Sequence, residues 1–129
     1  MSGKILIIDD DPDFREAMAT LLEAKGYSVE TAFDGEEGME MARKVMPGLI
    51  LLDVMMSGRT EGFDVAKKLR ADDSLKKIPI VMTTGIRKDM NLPFGFEPDK
   101  DNLPVEAVLE KPVKPETLLS AVEKYIMPR

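Results

Sequence analysis

Five polar side chains interrupt otherwise apolar stretches, and their types fit one chemistry. Asp9 and Asp10 follow the apolar run 5–8, and Asp53 follows 49–52. Thr84 follows 78–82 with Thr83 beside it, and Lys111 stands two residues after Leu109. Adjacent carboxylates repel, and a buried one loses its hydration, so acids at the end of an apolar run need a compensating partner. Three carboxylates gathered in one place suit a hard divalent cation. Mg²⁺ takes oxygen ligands, keeps several waters, and is commonly held by one or two carboxylates plus a phosphate oxygen. A lysine and a hydroxyl nearby would complete a phosphoryl site, the ammonium pairing with one oxygen and the hydroxyl bonding another. A carboxylate can itself be the nucleophile and form an aspartyl phosphate. It needs no base, because it is already ionised.

Composition removes other chemistries. The 129 residues contain no histidine and no cysteine. That excludes disulfides, thiolate metal sites and the usual Ser-His-Asp or Cys-His hydrolases, and it removes the commonest zinc or copper ligand. The net charge of −6 argues against nucleic-acid binding through a basic face. No apolar stretch is long enough to span a bilayer, and the N-terminus lacks the pattern of a signal peptide. The expectation is one soluble, cytoplasmic domain over residues 1–129, with no nucleic-acid and no membrane partner.

These residues have to be positioned by the elements around them. Short apolar runs at Lys4–Ile8, 27–33, 49–52 (ending at Asp53), 78–83 and 105–109 read as five strands. Helical spacing places helices over 12–25, from Asp34 to about Val45, over 61–71, and from Pro115 to about Ile126. Gly26 is expected to stop the first helix, Asp34 to cap the second, and Pro47 with Gly48 to end it. A βα repeat predicts a parallel sheet with helices on both faces. Ligands in such sheets bind beyond the carboxyl ends of the strands, where all five polar residues fall. The segment GIRKDMNLPFGFEPDKDNLP, 85–104, carries three prolines and no sustained helical stripe, so it reads as a long loop.

The motifs ILIIDDDPDFR, LILLDVMM, IPIVMTTG and VLEKPVKPETLL, in this order and context, resemble the receiver domain of two-component response regulators over about residues 4–126. The resemblance implies a flavodoxin-like, doubly wound α/β fold with a five-stranded parallel sheet in the order 2-1-3-4-5. The fourth helix of that pattern is replaced here by the long loop. It implies that Asp53 is the phosphoacceptor and that Thr84, which directly precedes the small residue Gly85, is the switch hydroxyl. Lys111 is the phosphate-contacting lysine, with its bond to Pro112 in cis. Asp9, Asp10, Asp53 and the Met55 backbone carbonyl are the Mg²⁺ ligands. The implied partner is a sensor histidine kinase, and the domain is a phosphorylation-dependent switch or phosphorelay intermediate rather than an enzyme.

The chain ends soon after the last helix, so a stand-alone receiver is expected. It would act on a separate downstream protein, with the 85–104 segment and its Phe94 and Phe96 as the distinctive surface. Met55 and Ile86 flank the family's route for hydrolytic water, and neither side chain can orient it, so a long-lived phosphoryl group is expected. Beyond the replaced fourth helix, the chain departs from the family pattern in three further places. Ser57 stands where a proline is common, MMSGRTEGF is one residue longer than usual before Gly62, and Val108 replaces a frequent aromatic.

Other readings fit less well. A haloacid-dehalogenase-type phosphatase needs Asp-x-Asp-x-Thr, but Asp9-x-Asp11 is followed by Asp13. A calcium loop from Asp9 would have Phe14 for its glycine and Thr20 for its glutamate. A flavodoxin-like cofactor binder would need a Gly-, Ser- or Thr-rich loop after the first strand. A receiver fold used only for docking would not need all five polar residues. Asp11 and Asp13 read as helix-start acids, Thr83 as a core-facing strand residue, and Lys67, Lys68 and Arg70 as a solvated helix face.

Overall fold

The computed structural model describes residues 3–54, 61–85 and 105–127. In chain order the elements are β1 (Lys4–Ile8), α1 (Pro12–Ala24), β2 (Ser28–Ala32), α2 (Gly35–Val45), β3 (Leu49–Asp53), α3 (Glu61–Ala71), β4 (Ile80–Thr84), β5 (Ala107–Glu110) and α4 (Pro115–Tyr125). The five strands form one parallel sheet in the order β2-β1-β3-β4-β5, as expected. The expected loop over 85–104, in place of a helix between β4 and β5, falls outside the described residues apart from Gly85.

Alternation along the strands sorts the core into two layers. Leu6, Ile8, Ile50, Leu52, Ile80 and Met82 pack against α2 and α3 through Met39, Ala42, Phe63, Ala66 and Leu69. Ile5, Ile7, Leu49, Leu51 and Val81 pack against α1 and α4 through Leu22, Leu118 and Val122. Ile5 to Ile8 are all fully buried, which explains the unbroken apolar run: a central parallel strand is covered on both faces. Each such side chain contributes about 1.5–3 kcal/mol of burial.

Helix starts follow the sequence closely. The Asp11 carboxylate accepts from the Asp13 and Phe14 amides, and Asp34 accepts from the Glu37 amide. Asp11 and Asp13 are therefore helix-start acids, as expected. Gly26 takes φ 96°, a left-handed conformation that lets the chain leave α1.

The second helix ends at Val45 as expected: Pro47 drives the residue before it out of the α region, and Met46 takes a left-handed φ of 47°. Three local expectations are corrected. β4 starts at Ile80 rather than residue 78, because the Ile78 amide closes a turn onto the Leu75 carbonyl. β5 is Ala107–Glu110, two residues later at its start than the apolar run suggests. Arg70 is not part of a solvated face. Its guanidinium bonds the Lys76 and Ile78 carbonyls and reaches Glu106 at 2.6 Å, while Lys67 and Lys68 are exposed.

A candidate phosphoacceptor and metal site at the carboxyl edge of the sheet

Two central strands, β1 and β3, and the edge strand β5 deliver the acids and the lysine to one end of the sheet. Asp9 and Asp10 directly follow β1, Asp53 is the last residue of β3, and Lys111 follows β5. By alternation, Asp9, Asp53, Thr83 and Lys111 continue the odd-numbered face that α1 and α4 cover. One carboxylate oxygen from each of Asp9, Asp10 and Asp53 lies within 4.8 Å of the others. Asp9 and Asp53 are buried, and Asp10 is exposed.

Asp9 is held rigidly. One carboxylate oxygen accepts from the Asp11 amide at 2.9 Å and the other from Lys111 Nζ at 3.0 Å. Its backbone carbonyl accepts from Arg15 at 2.7 Å, and its amide donates to the Ala32 carbonyl. Lys111 Nζ also lies 3.5 Å from Asp53 Oδ1, so one cation is shared between two buried carboxylates. The Lys111 backbone is fixed in turn, its amide donating to the Thr84 carbonyl at 2.7 Å, and the Lys111–Pro112 bond is cis as expected.

Asp53 is positioned by the ladder and by a glycine. The Val54 amide donates to the Thr83 carbonyl, and the Gly62 amide donates to the Val54 carbonyl. A Cβ at Gly62 would overlap the Asp53 carbonyl oxygen and come within 2.7 Å of Val54 Cα. The start of α3 therefore rests directly on the backbone that carries the acceptor, and only glycine permits that approach.

Thr83 and Thr84 are both buried, as a strand end between β3 and β5 requires. Burial does not separate the two, and it is Thr83 that lies in register with Asp53. Thr84 pairs with Glu110 and, by alternation, belongs to the opposite face from Asp53. Met55 and Ile86 lie outside the described residues.

Two contacts were not legible as site features. The Phe14 ring, which reads as one member of the apolar stripe of α1, sits 4.2 Å from Lys111 Nζ and provides a cation–π contact. Arg15 reads as an ordinary helix residue, yet it anchors the Asp9 carbonyl. Neither has a sequence signal, because both contacts depend on how α1 is seated on the sheet edge.

The donor set fits Mg²⁺: three hard carboxylate oxygens converge at a strand edge, one of them on an exposed residue that leaves room for water. A soft-metal site is excluded by the absence of cysteine and histidine.

Comparison with known proteins agrees with this arrangement. The family model for the response regulator receiver domain matches residues 5–123. The DNA-binding dual master transcriptional regulator RpaA of Synechocystis is 36% identical over 123 residues, covering 95% of this chain and 48% of that protein. The DNA-binding response regulator MtrA of Mycolicibacterium smegmatis is 34% identical over 122 residues, covering 95% of this chain and 50% of that one. The chain thus spans about half the length of these relatives. Among solved structures, the Vibrio cholerae chemotaxis protein CheY4 superposes with a TM-score of 0.79 at 31% identity, covering 98% of this chain and all of that one. The signal receiver domain of a histidine kinase from Syntrophus aciditrophicus superposes with a TM-score of 0.78 at 26% identity, covering 95% and 89%. With the sheet order, the acids at its carboxyl edge and the lysine between them already in place, the match across residues 5–123 shows that this chain belongs to the response regulator receiver domain family.

Proposed function

We propose that the domain is a phosphorylation-dependent switch or relay intermediate that accepts a phosphoryl group on Asp53 from the phosphohistidine of a sensor kinase. The observation that carries this reading is the Asp9–Asp10–Asp53 cluster, with oxygens mutually within 4.8 Å and Lys111 set between two of them. An Asp53 oxygen attacks phosphorus, the bond from phosphorus to the donor breaks, and the donor leaves with that electron pair. Lys111 is already at the acceptor and pairs with a phosphoryl oxygen as Asp53 loses its own charge. Thr84 is the second proposed contact: it is the last residue of β4, one position beyond the register partner of Asp53, where the phosphoryl group would extend past the strand ends. Mg²⁺, held by Asp9, Asp10, Asp53 and the Met55 carbonyl, would screen the negative charge that gathers there.

The domain's own work is signalling rather than turnover. No described helix is long and apolar enough to cross a membrane. The DNA-binding named for the relatives belongs to proteins about twice this length. For this domain, with its net charge of −6, we propose a protein partner, either a separate chain or a linked one, rather than DNA. Incubation with acetyl phosphate and Mg²⁺ followed by peptide mass spectrometry tests the assignment. Phosphate is expected on Asp53 only, with labelling lost in Asp53→Asn and without metal. Phosphate on another residue, or metal-independent labelling, overturns it.

A further inference from the structure

Thr83 is the described side chain at this edge that the proposed chemistry leaves unused. It is 0% exposed, and its Oγ1 has no hydrogen-bond partner among the described residues. Buried hydroxyls are nearly always bonded, so an orphan at this place needs an explanation. Packing alone does not provide one. Valine fills nearly the same volume without stranding a donor, and removing both partners of a buried bond is close to neutral.

Its location does provide one. Thr83 is the direct register partner of Asp53 across β3 and β4, and neighbouring strands lie about 4.8 Å apart. Alternation sends its side chain to the same face as Asp9, Asp53 and Lys111. A group added to the Asp53 carboxylate is therefore built beside a hydroxyl with nothing else to bond.

Resting on the phosphoacceptor reading, we infer that Thr83 is a phosphoryl-binding residue in addition to Thr84: its hydroxyl, unbonded while Asp53 is unphosphorylated, donates to an oxygen of the group carried by Asp53. The bond would cost no other bond, because none has to be given up. Its acceptor is anionic, which makes it stronger than a neutral pair. An interaction made in one state and absent in the other shifts the balance between them by its full value. The orphan disfavours the unoccupied protein, and its satisfaction favours the occupied one.

This gives Thr83→Val a signature that a packing residue lacks: opposite signs in the two states. The probe is beryllofluoride with Mg²⁺, a tetrahedral phosphoryl mimic that bonds through beryllium to a carboxylate oxygen. Its affinity is read by titration calorimetry, beside the melting temperature of the free protein. Thr83→Val is expected to melt higher than wild type when free, and to bind beryllofluoride about 5- to 20-fold more weakly. Thr83→Ser, which keeps the hydroxyl, is expected to bind within about twofold of wild type. Should the valine variant not fold, the comparison of Thr83→Ala with Thr83→Ser decides on the same criterion. Equal affinity for hydroxyl and non-hydroxyl variants overturns the inference and leaves the phosphoacceptor reading standing. A valine variant that melts lower overturns it too, because the hydroxyl was then not an orphan. Failure of the wild type to bind beryllofluoride or to label at Asp53 overturns the reading beneath it.

Discussion

The two ends of the sheet both hold partly buried charges, but they resolve them in opposite ways. At the amino edge, Arg70 of α3 meets Glu106 at 2.6 Å, and the same Glu106 oxygen accepts the Ile80 amide at 2.7 Å. Arg70 also bonds the Ile78 and Lys76 carbonyls, so one cation and one anion tie α3, the turn before β4 and the start of β5 together. Nearby, Asp72 takes the Ser74 amide and hydroxyl on one oxygen and Arg43 on the other. Charges at this end come in matched pairs. At the carboxyl edge, three carboxylates converge on a site where Lys111 is shared by two of them. The difference separates cross-linking from poise. A balanced pair gains its bonds when the chain folds, whereas an acid-rich site holds attraction for a cation and a phosphoryl group in reserve.

Removing one partner should hurt most at the balanced end. Glu106→Ala strands the Ile80 amide and removes the Glu106 carboxylate from Arg70. Because the pair is 22% and 34% exposed, screening reduces the ionic part, and the orphaned amide is the larger loss. A destabilisation of about 2 kcal/mol is expected in urea unfolding. A change under about 0.5 kcal/mol would mean that this end is no clamp.

At the acid-rich end the sign should reverse. Asp10→Asn removes one of three repelling charges, so the metal-free protein is expected to melt at or slightly above the wild-type temperature. The cost should appear only with Mg²⁺, as a smaller metal-induced rise in melting temperature. Equal rises in wild type and variant would remove Asp10 from the ligand set.

Phe14→Leu sharpens the comparison further, since it alters the lysine's surroundings without altering charge. Leucine preserves an apolar contact to the α1 layer but not the ring face under Lys111. Labelling of Asp53 by acetyl phosphate is expected to slow about threefold, with stability changed by less than about 1 kcal/mol. An unchanged labelling rate would leave Phe14 as a packing residue only.

The smallest expected effect is a pH response at the balanced end. The Ser74 hydroxyl, then its amide, hold the Asp72 carboxyl below its ordinary value, with Arg43 adding to this. A carboxyl depressed in the folded state contributes stability above its unfolded value and loses it as pH falls through the folded one. The small gap in melting temperature between wild type and Asp72→Asn should be present at neutral pH and close in acid. A gap that stays constant into acid would show that the Asp72 charge has no part in it.

The layers and the edge are legible in the residue pattern alone. Unbroken apolar runs of four or five residues mark strands covered on both sides, and acids placed right after them mark where the covering stops. Helix starts were legible because Asp11, Asp34 and Pro115 act on their own neighbours within a turn. Strand limits near residues 78 and 105 were less legible. A turn residue such as Ile78 is as apolar as a strand residue, and only its bond to Leu75 tells them apart. What each charge does depends on contacts between distant segments. Lys111 and Asp9 are 102 residues apart, and Arg70 meets Glu106 across 36. Nothing local distinguishes Arg70 from the solvated Lys68, or Phe14 from any other apolar residue of α1. Local signals depend on bonds made within a few residues. A shared lysine, a glycine pressed on Asp53 and an unbonded Thr83 exist only once β1, β3, β4 and β5 lie side by side and α1 and α3 are seated on their ends.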